Sequence, residues 1–72
     1  MADVLTNAEK IDIANAHKKN IELNKWNLVL SKIEENAVSS PNEQVVSALD
    51  LQIADQNARL AAIDSEIASL TE

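Results

Sequence analysis

Cysteine and glycine are both absent from this chain of 72 residues, and Pro41 is its only proline. Without cysteine there is no disulfide, and with His17 as the only histidine we expect no metal site and no bound cofactor. Glycine and proline mark turns and end helices, so their scarcity permits long helices and argues against tight hairpins of strands. Trp26 is the sole aromatic residue, whereas a protein built from β-sheets usually contains more aromatic residues.

Long apolar runs and positive charge are also lacking. No segment approaches the ~18 consecutive apolar residues of a membrane-spanning helix. The net charge is −6, from 6 basic and 12 acidic residues, which argues against binding to nucleic-acid phosphates. Residues 1–38 carry five lysines and six acids (−1), whereas residues 39–72 carry Arg59 and six acids (−5). We therefore expect a soluble, cytoplasmic protein with no nucleic-acid partner and no membrane span.

The second half of the chain has an apolar stripe with the spacing of a coiled coil. Its positions lie alternately three and four residues apart, which is an a/d heptad pattern held over four heptads. One of the eight positions is polar and the others are large and aliphatic: Val46, Leu49, Ile53, Gln56, Leu60, Ile63, Ile67 and Leu70. This stripe predicts a helix at about residues 41–70 that packs against another helix.

Capping residues predict where both helices begin. Thr6 and Glu9 fit a capping box, and nothing from there to about Val38 interrupts a first helix at about residues 6–38. Ser40 fits an N-cap directly before Pro41, so residues 39–40 form the turn. A link this short usually places two helices side by side and antiparallel. The sequence thus predicts an all-α fold: one domain, residues 1–72, forming a helical hairpin with heptad packing and assembled into a larger helical bundle.

The first helix carries apolar residues on two faces. We call an apolar stripe along one face of a helix a seam. The first seam is the more apolar of the two and is predicted to pack on the second helix. Its members are Ile13, Ala16, Leu23, Trp26, Leu30, Ile33 and Ala37. The other seam contains Ala14, Ile21 and Leu28, flanked by Lys18, Lys25 and Lys32. The second helix has its own second seam of mostly small residues, centred on Leu51, Ala54, Ala58 and Ala61. Four seams on two helices exceed what one hairpin can bury, so we expect a homo-oligomer or another protein partner.

Charge supports one antiparallel register. If the chain folds back with facing residue numbers that sum to about 82–83, Leu23 faces Leu60 and Leu30 faces Ile53. Trp26 then falls beside Gln56, which is the predicted acceptor for its indole N–H. The same register brings opposite charges together in four places: Lys32 near Asp50, Lys18 and Lys19 near Asp64, Lys10 near Glu72, and Arg59 near Glu22. Arg59 also lies four residues after Asp55, the spacing of an ion pair within one helix. In a competing arrangement the second helices of several chains pair in parallel, and Gln56 forms a polar layer on the shared axis.

Residues with catalytic potential are scattered. The carboxylates follow solvated faces, whereas paired acid and base carboxylates need contrasting environments in a cleft. His17 has no cysteine near it and no obvious serine nucleophile. We therefore predict a non-enzymatic structural or assembly protein, in which a helical hairpin associates with itself. The alternative is a small acidic binding module, an inhibitor or adaptor that docks a helix face on a partner protein.

One resemblance concerns composition alone. Short helical chains without cysteine or glycine and with an alanine-rich heptad end are common among small bacteriophage proteins, and this chain resembles them in those respects. The resemblance implies a viral protein that takes part in a phage-like assembly and is incorporated in the virion.

Overall fold

A helical hairpin forms nearly all of the chain that the computed structural model describes, residues 4–71. Helix α1 is Asn7–Ala37 and helix α2 is Glu43–Thr71, and this part of the chain contains no strand. Asn7 Nδ2, at the beginning of α1, donates a hydrogen bond to the carbonyl oxygen of Leu70 near the end of α2 (3.2 Å). The helices are therefore antiparallel, and the predicted all-α helical hairpin is confirmed. Its dimensions are 58 × 20 × 14 Å.

The predicted capping box begins α1. The Glu9 N–H donates to Thr6 Oγ1 (3.1 Å), and the Thr6 N–H donates to Glu9 Oε1 (3.0 Å). Two otherwise unpaired backbone groups at the helix end are satisfied in this way. Hydrogen bonds from the backbone and the side chain of Thr6 lower the pKa of the Glu9 carboxyl, because they favour its charged form.

The beginning of α2 differs from the prediction. Asn42 is the capping residue, since its Oδ1 accepts hydrogen bonds from the N–H groups of Gln44 (3.0 Å) and Val45 (3.3 Å). The predicted cap, Ser40, lies outside the helix, which begins at Glu43 and not at about residue 41. Both residues are good N-caps, so the local pattern alone did not separate them.

A contact between the two helix ends favours the later start. The Asn42 N–H donates to Glu35 Oε1 in the last turn of α1 (2.9 Å). Negative charge in a last helical turn opposes the dipole of its own helix. Here the Glu35 carboxylate lies beside the N-terminus of α2, where the dipole is positive, so the neighbouring helix offsets the unfavourable position.

The contact between the helices uses one face of each. On α2, every residue that is partly or fully buried belongs to the heptad stripe, and Leu60 is the most buried at 9 % exposed. On α1, the inner face contains Ile11, Ala14, Lys18, Ile21, Lys25, Leu28, Lys32 and Glu35, all of them half-buried. This inner face is the lysine-flanked seam of the sequence.

The first seam of α1 therefore does not face α2, and this corrects the predicted facing residues. Leu23, Leu30 and Trp26 are exposed, so they lie outside the half-buried face of α1 that was predicted to contain them. Lysine explains the difference, because its four-carbon stem covers apolar surface while its ammonium group reaches a charged partner at the edge. A pattern that counts lysine as polar ranks this seam second.

Candidate functional site

The outer face of α1 is apolar and exposed. We call it the outer seam, and its members are Ala16, Leu23, Trp26, Leu30, Ile33 and Ala37. Leu23 is 55 % exposed, Trp26 56 % and Ile33 55 %, and Leu30 is 38 % exposed. A row of large apolar side chains open to solvent is the usual mark of an interaction surface.

Helical periodicity places these residues together. Leu23, Trp26, Leu30 and Ile33 follow one another at spacings of three and four, so their side chains share one side of α1. The inner-face residues Ile21 and Leu28 lie on the opposite side, where they contact α2. One helix thus uses one apolar face for the hairpin contact and leaves a second one open.

The outer face of α2 is also exposed, but its residues are small. Leu51 is 73 % exposed and is the largest side chain in this group. The other exposed members are Ser47, Ala54, Ala58, Ala61, Ser65 and Ala68. The predicted second seams of the two helices therefore have different positions in the hairpin. Ile21 and Leu28 lie inside the hairpin contact, and the residues of α2 lie outside it.

Ion pairs fix the inner face. Lys18 Nζ lies 2.6 Å from Asp64 Oδ1, and Lys32 Nζ lies 2.6 Å from Asp50 Oδ1, as the predicted register requires. Arg59 does not pair with Glu22 as predicted. Its guanidinium binds Asp55 within α2 (3.0 Å), which confirms the pair expected one helical turn apart. Glu72, the predicted partner of Lys10, lies outside the described residues.

One polar atom in the hairpin contact lacks a partner. Oε1 of Gln56, the polar position of the heptad stripe, is buried and accepts no hydrogen bond from any described residue. A buried acceptor without a donor lowers stability. Trp26 was the predicted donor, but its indole lies on the outer seam.

Residues 4–71 contain an open depression at the sole histidine. It has a volume of about 250 Å³ and lies between the helices, lined by Lys10, Ile13, Ala14, His17, Ile63 and Glu66. His17 is exposed at its edge. No three His, Cys, Asp or Glu side chains of these residues are grouped to hold a metal ion. Neither helix has a stretch that is long and apolar enough to cross a membrane.

Comparison with known proteins adds no relative. No protein family, curated protein or solved structure matches this chain.

Proposed function

We propose that this chain is a non-enzymatic structural or assembly protein, whose hairpins associate with one another. The observation that carries the proposal is the exposed outer seam of α1. Leu23, Trp26 and Ile33 each leave more than half of their surface open to solvent. Burying a large aliphatic or aromatic side chain stabilises an assembly by about 1.5–3 kcal/mol. Four such residues in one row are a substantial driving force for association.

The small core of the hairpin supports the same proposal. Leu60 is the only hydrophobic residue among the described ones that is buried. Chains of fewer than roughly 70–80 residues rarely gain enough from one core, and they rely on disulfides, metals or oligomerisation. Since cysteine is absent, association with further helices is the remaining route to a stable fold.

A larger helical bundle is the form of assembly that these faces favour. The heptad stripe of α2 is half-buried against α1, which leaves less of it free for the parallel pairing of α2 helices. Further hairpins add to the outer seam of α1 instead. The proposed location is the cytoplasm, and the compositional resemblance to small bacteriophage proteins favours a virion as the alternative.

The alternative function, an acidic binding module, rests on the charge of −5 in residues 39–72. Three acids of α2 already pair with bases of the same chain: Asp50 with Lys32, Asp55 with Arg59, and Asp64 with Lys18. These pairs reduce the negative charge that α2 presents to a basic partner. The apolar outer seam therefore supports self-association better than the charge supports an acidic binding module.

The solution mass tests the proposed function. Light scattering on a sizing column, at several protein concentrations, should give a discrete multiple of the 7.8 kDa chain mass. A mass of one chain at every concentration would remove the basis for a self-assembling structural role.

A further inference from the structure

The hairpin exposes more surface than a compact chain of its mass. Its accessible surface is 5378 Å². A folded monomer of this size exposes about 4,400 Å², so the excess is about 1,000 Å². Each partner of a standard protein interface buries about 800 Å². One further helix contact along the length of the hairpin is therefore enough to account for the excess.

We infer that the outer seam of α1 is covered by the outer seam of a second copy, running antiparallel about a two-fold axis. This inference rests on the proposed self-association and specifies its geometry. The axis passes α1 at the level of Leu28. An interface of this kind uses the same patch on both copies, so the patch must be complementary to itself.

The four large residues of the outer seam meet that requirement. Leu23 and Ile33 lie five residues to either side of Leu28, and Trp26 and Leu30 lie two residues to either side. An antiparallel copy therefore sets Leu23 against Ile33 of the second copy, and Trp26 against its Leu30. The small residue Ala37 and the polar stretch before Leu23 fall at the two ends of this apolar patch.

Charge also favours the antiparallel direction. The last turn of α1 contains no basic residue, although it contains Glu34. Neither Glu34 nor Lys19 forms an ion pair or a side-chain hydrogen bond with any residue from 4 to 71. In the antiparallel arrangement Lys19 of the second copy lies opposite Ala37, one turn beyond Glu34. A cation at this position complements both the carboxylate and the negative end of the helix dipole.

A parallel copy has no such complementarity. It sets Lys19 beside Lys19, Glu34 beside Glu34, and Trp26 beside Trp26 of the second copy. A third arrangement packs the outer seam of α1 on the small residues of α2 in the next hairpin. Because that contact joins two different patches, it builds either an open chain with a free patch at each end or a closed ring.

Two single-cysteine variants, Asn27→Cys and Asn20→Cys, distinguish these arrangements. The native chain has no cysteine, so the introduced thiol is the only one present. Both asparagines are exposed and lie one heptad apart on the same flank of the outer seam. Asn27 lies next to the two-fold axis and meets its own copy there, whereas Asn20 lies two helical turns from it. A disulfide requires Cα atoms within about 7 Å of each other.

Each variant is equilibrated with reduced and oxidised glutathione, and the fraction of covalent dimer is measured on a non-reducing gel. The solution mass of the uncrosslinked protein is measured separately by light scattering. We expect Asn27→Cys to yield at least tenfold more dimer than Asn20→Cys. Equal yields would overturn the antiparallel direction. Dimer from neither variant, with an oligomeric mass, would overturn this two-fold contact and leave the proposed function standing. A monomeric mass would overturn both.

Discussion

The ammonium group of Lys18 binds the carboxylate of Asp64 across the two helices, at 2.6 Å. This pair helps to select which face of α1 turns inward. We expect Asp64→Asn to lower the free energy of unfolding by up to about 1 kcal/mol, the usual contribution of an exposed ion pair. Chemical denaturation in low and high salt measures it, and the difference from the native chain should shrink in 1 M salt. Asp12→Asn, on an exposed acid of α1, is the control.

Asn42 should matter more to stability than Ser40. Asn42→Ala removes the oxygen that caps α2, and we expect it to cost about 1 kcal/mol. Ser40→Ala should leave the free energy of unfolding unchanged, because the Ser40 hydroxyl lies outside the helix. Thermal unfolding followed by circular dichroism checks both variants. Equal losses would restore Ser40 as the cap and would move the beginning of α2 to about residue 41.

The sequence predicted the hairpin, its direction and its register, because the signals for these are local or repetitive. The heptad stripe of α2 is nearly uninterrupted, and the capping box at Thr6 depends only on Glu9, three residues away. The pairs Lys18–Asp64 and Lys32–Asp50 followed from the register once the chain was folded back.

The inward face of α1 was not predicted, because both faces have helical periodicity and the outer seam has the larger apolar side chains. The lysines at 18, 25 and 32 lowered the apparent hydrophobicity of the face that packs. Their stems cover apolar surface, which a residue-by-residue pattern does not register. The cap at Asn42 was missed for a related reason, since the contact that favours it comes from Glu35 on the other helix.

Replacing Gln56 with leucine should stabilise the hairpin. Its buried Oε1 has no donor among the described residues, and an unsatisfied buried acceptor costs about 1–3 kcal/mol. We expect Gln56→Leu to raise the free energy of unfolding by about 1 kcal/mol, or the melting temperature by about 5 °C. Calorimetry measures the change. A lower melting temperature would show that the amide makes a hydrogen bond in solution that leucine removes.

The capping box should make stability depend on pH through Glu9. Its pKa is lowered in the folded chain by hydrogen bonds from Thr6, so its contribution is present above the pKa of the unfolded chain. That contribution is lost as the pH falls through the folded pKa. In Glu9→Gln the side chain still reaches the cap but does not titrate. The melting temperature of the native chain should therefore exceed that of this variant at pH 7. The two melting temperatures should converge at about pH 2–3, below the usual pKa range of glutamate.

The mass of the Leu23→Asp variant tests the central claim most directly, because Leu23 belongs to the face that we assign to assembly and not to the hairpin contact. Light scattering should give one chain mass for this variant, and its helices should melt at a lower temperature than those of the native chain, because the hairpin alone has a small core. The control, Leu51→Asp, makes the same change on the outer face of α2 and should keep the oligomer of the native chain. If Leu23→Asp keeps that oligomer, the outer seam is not the surface that joins the hairpins.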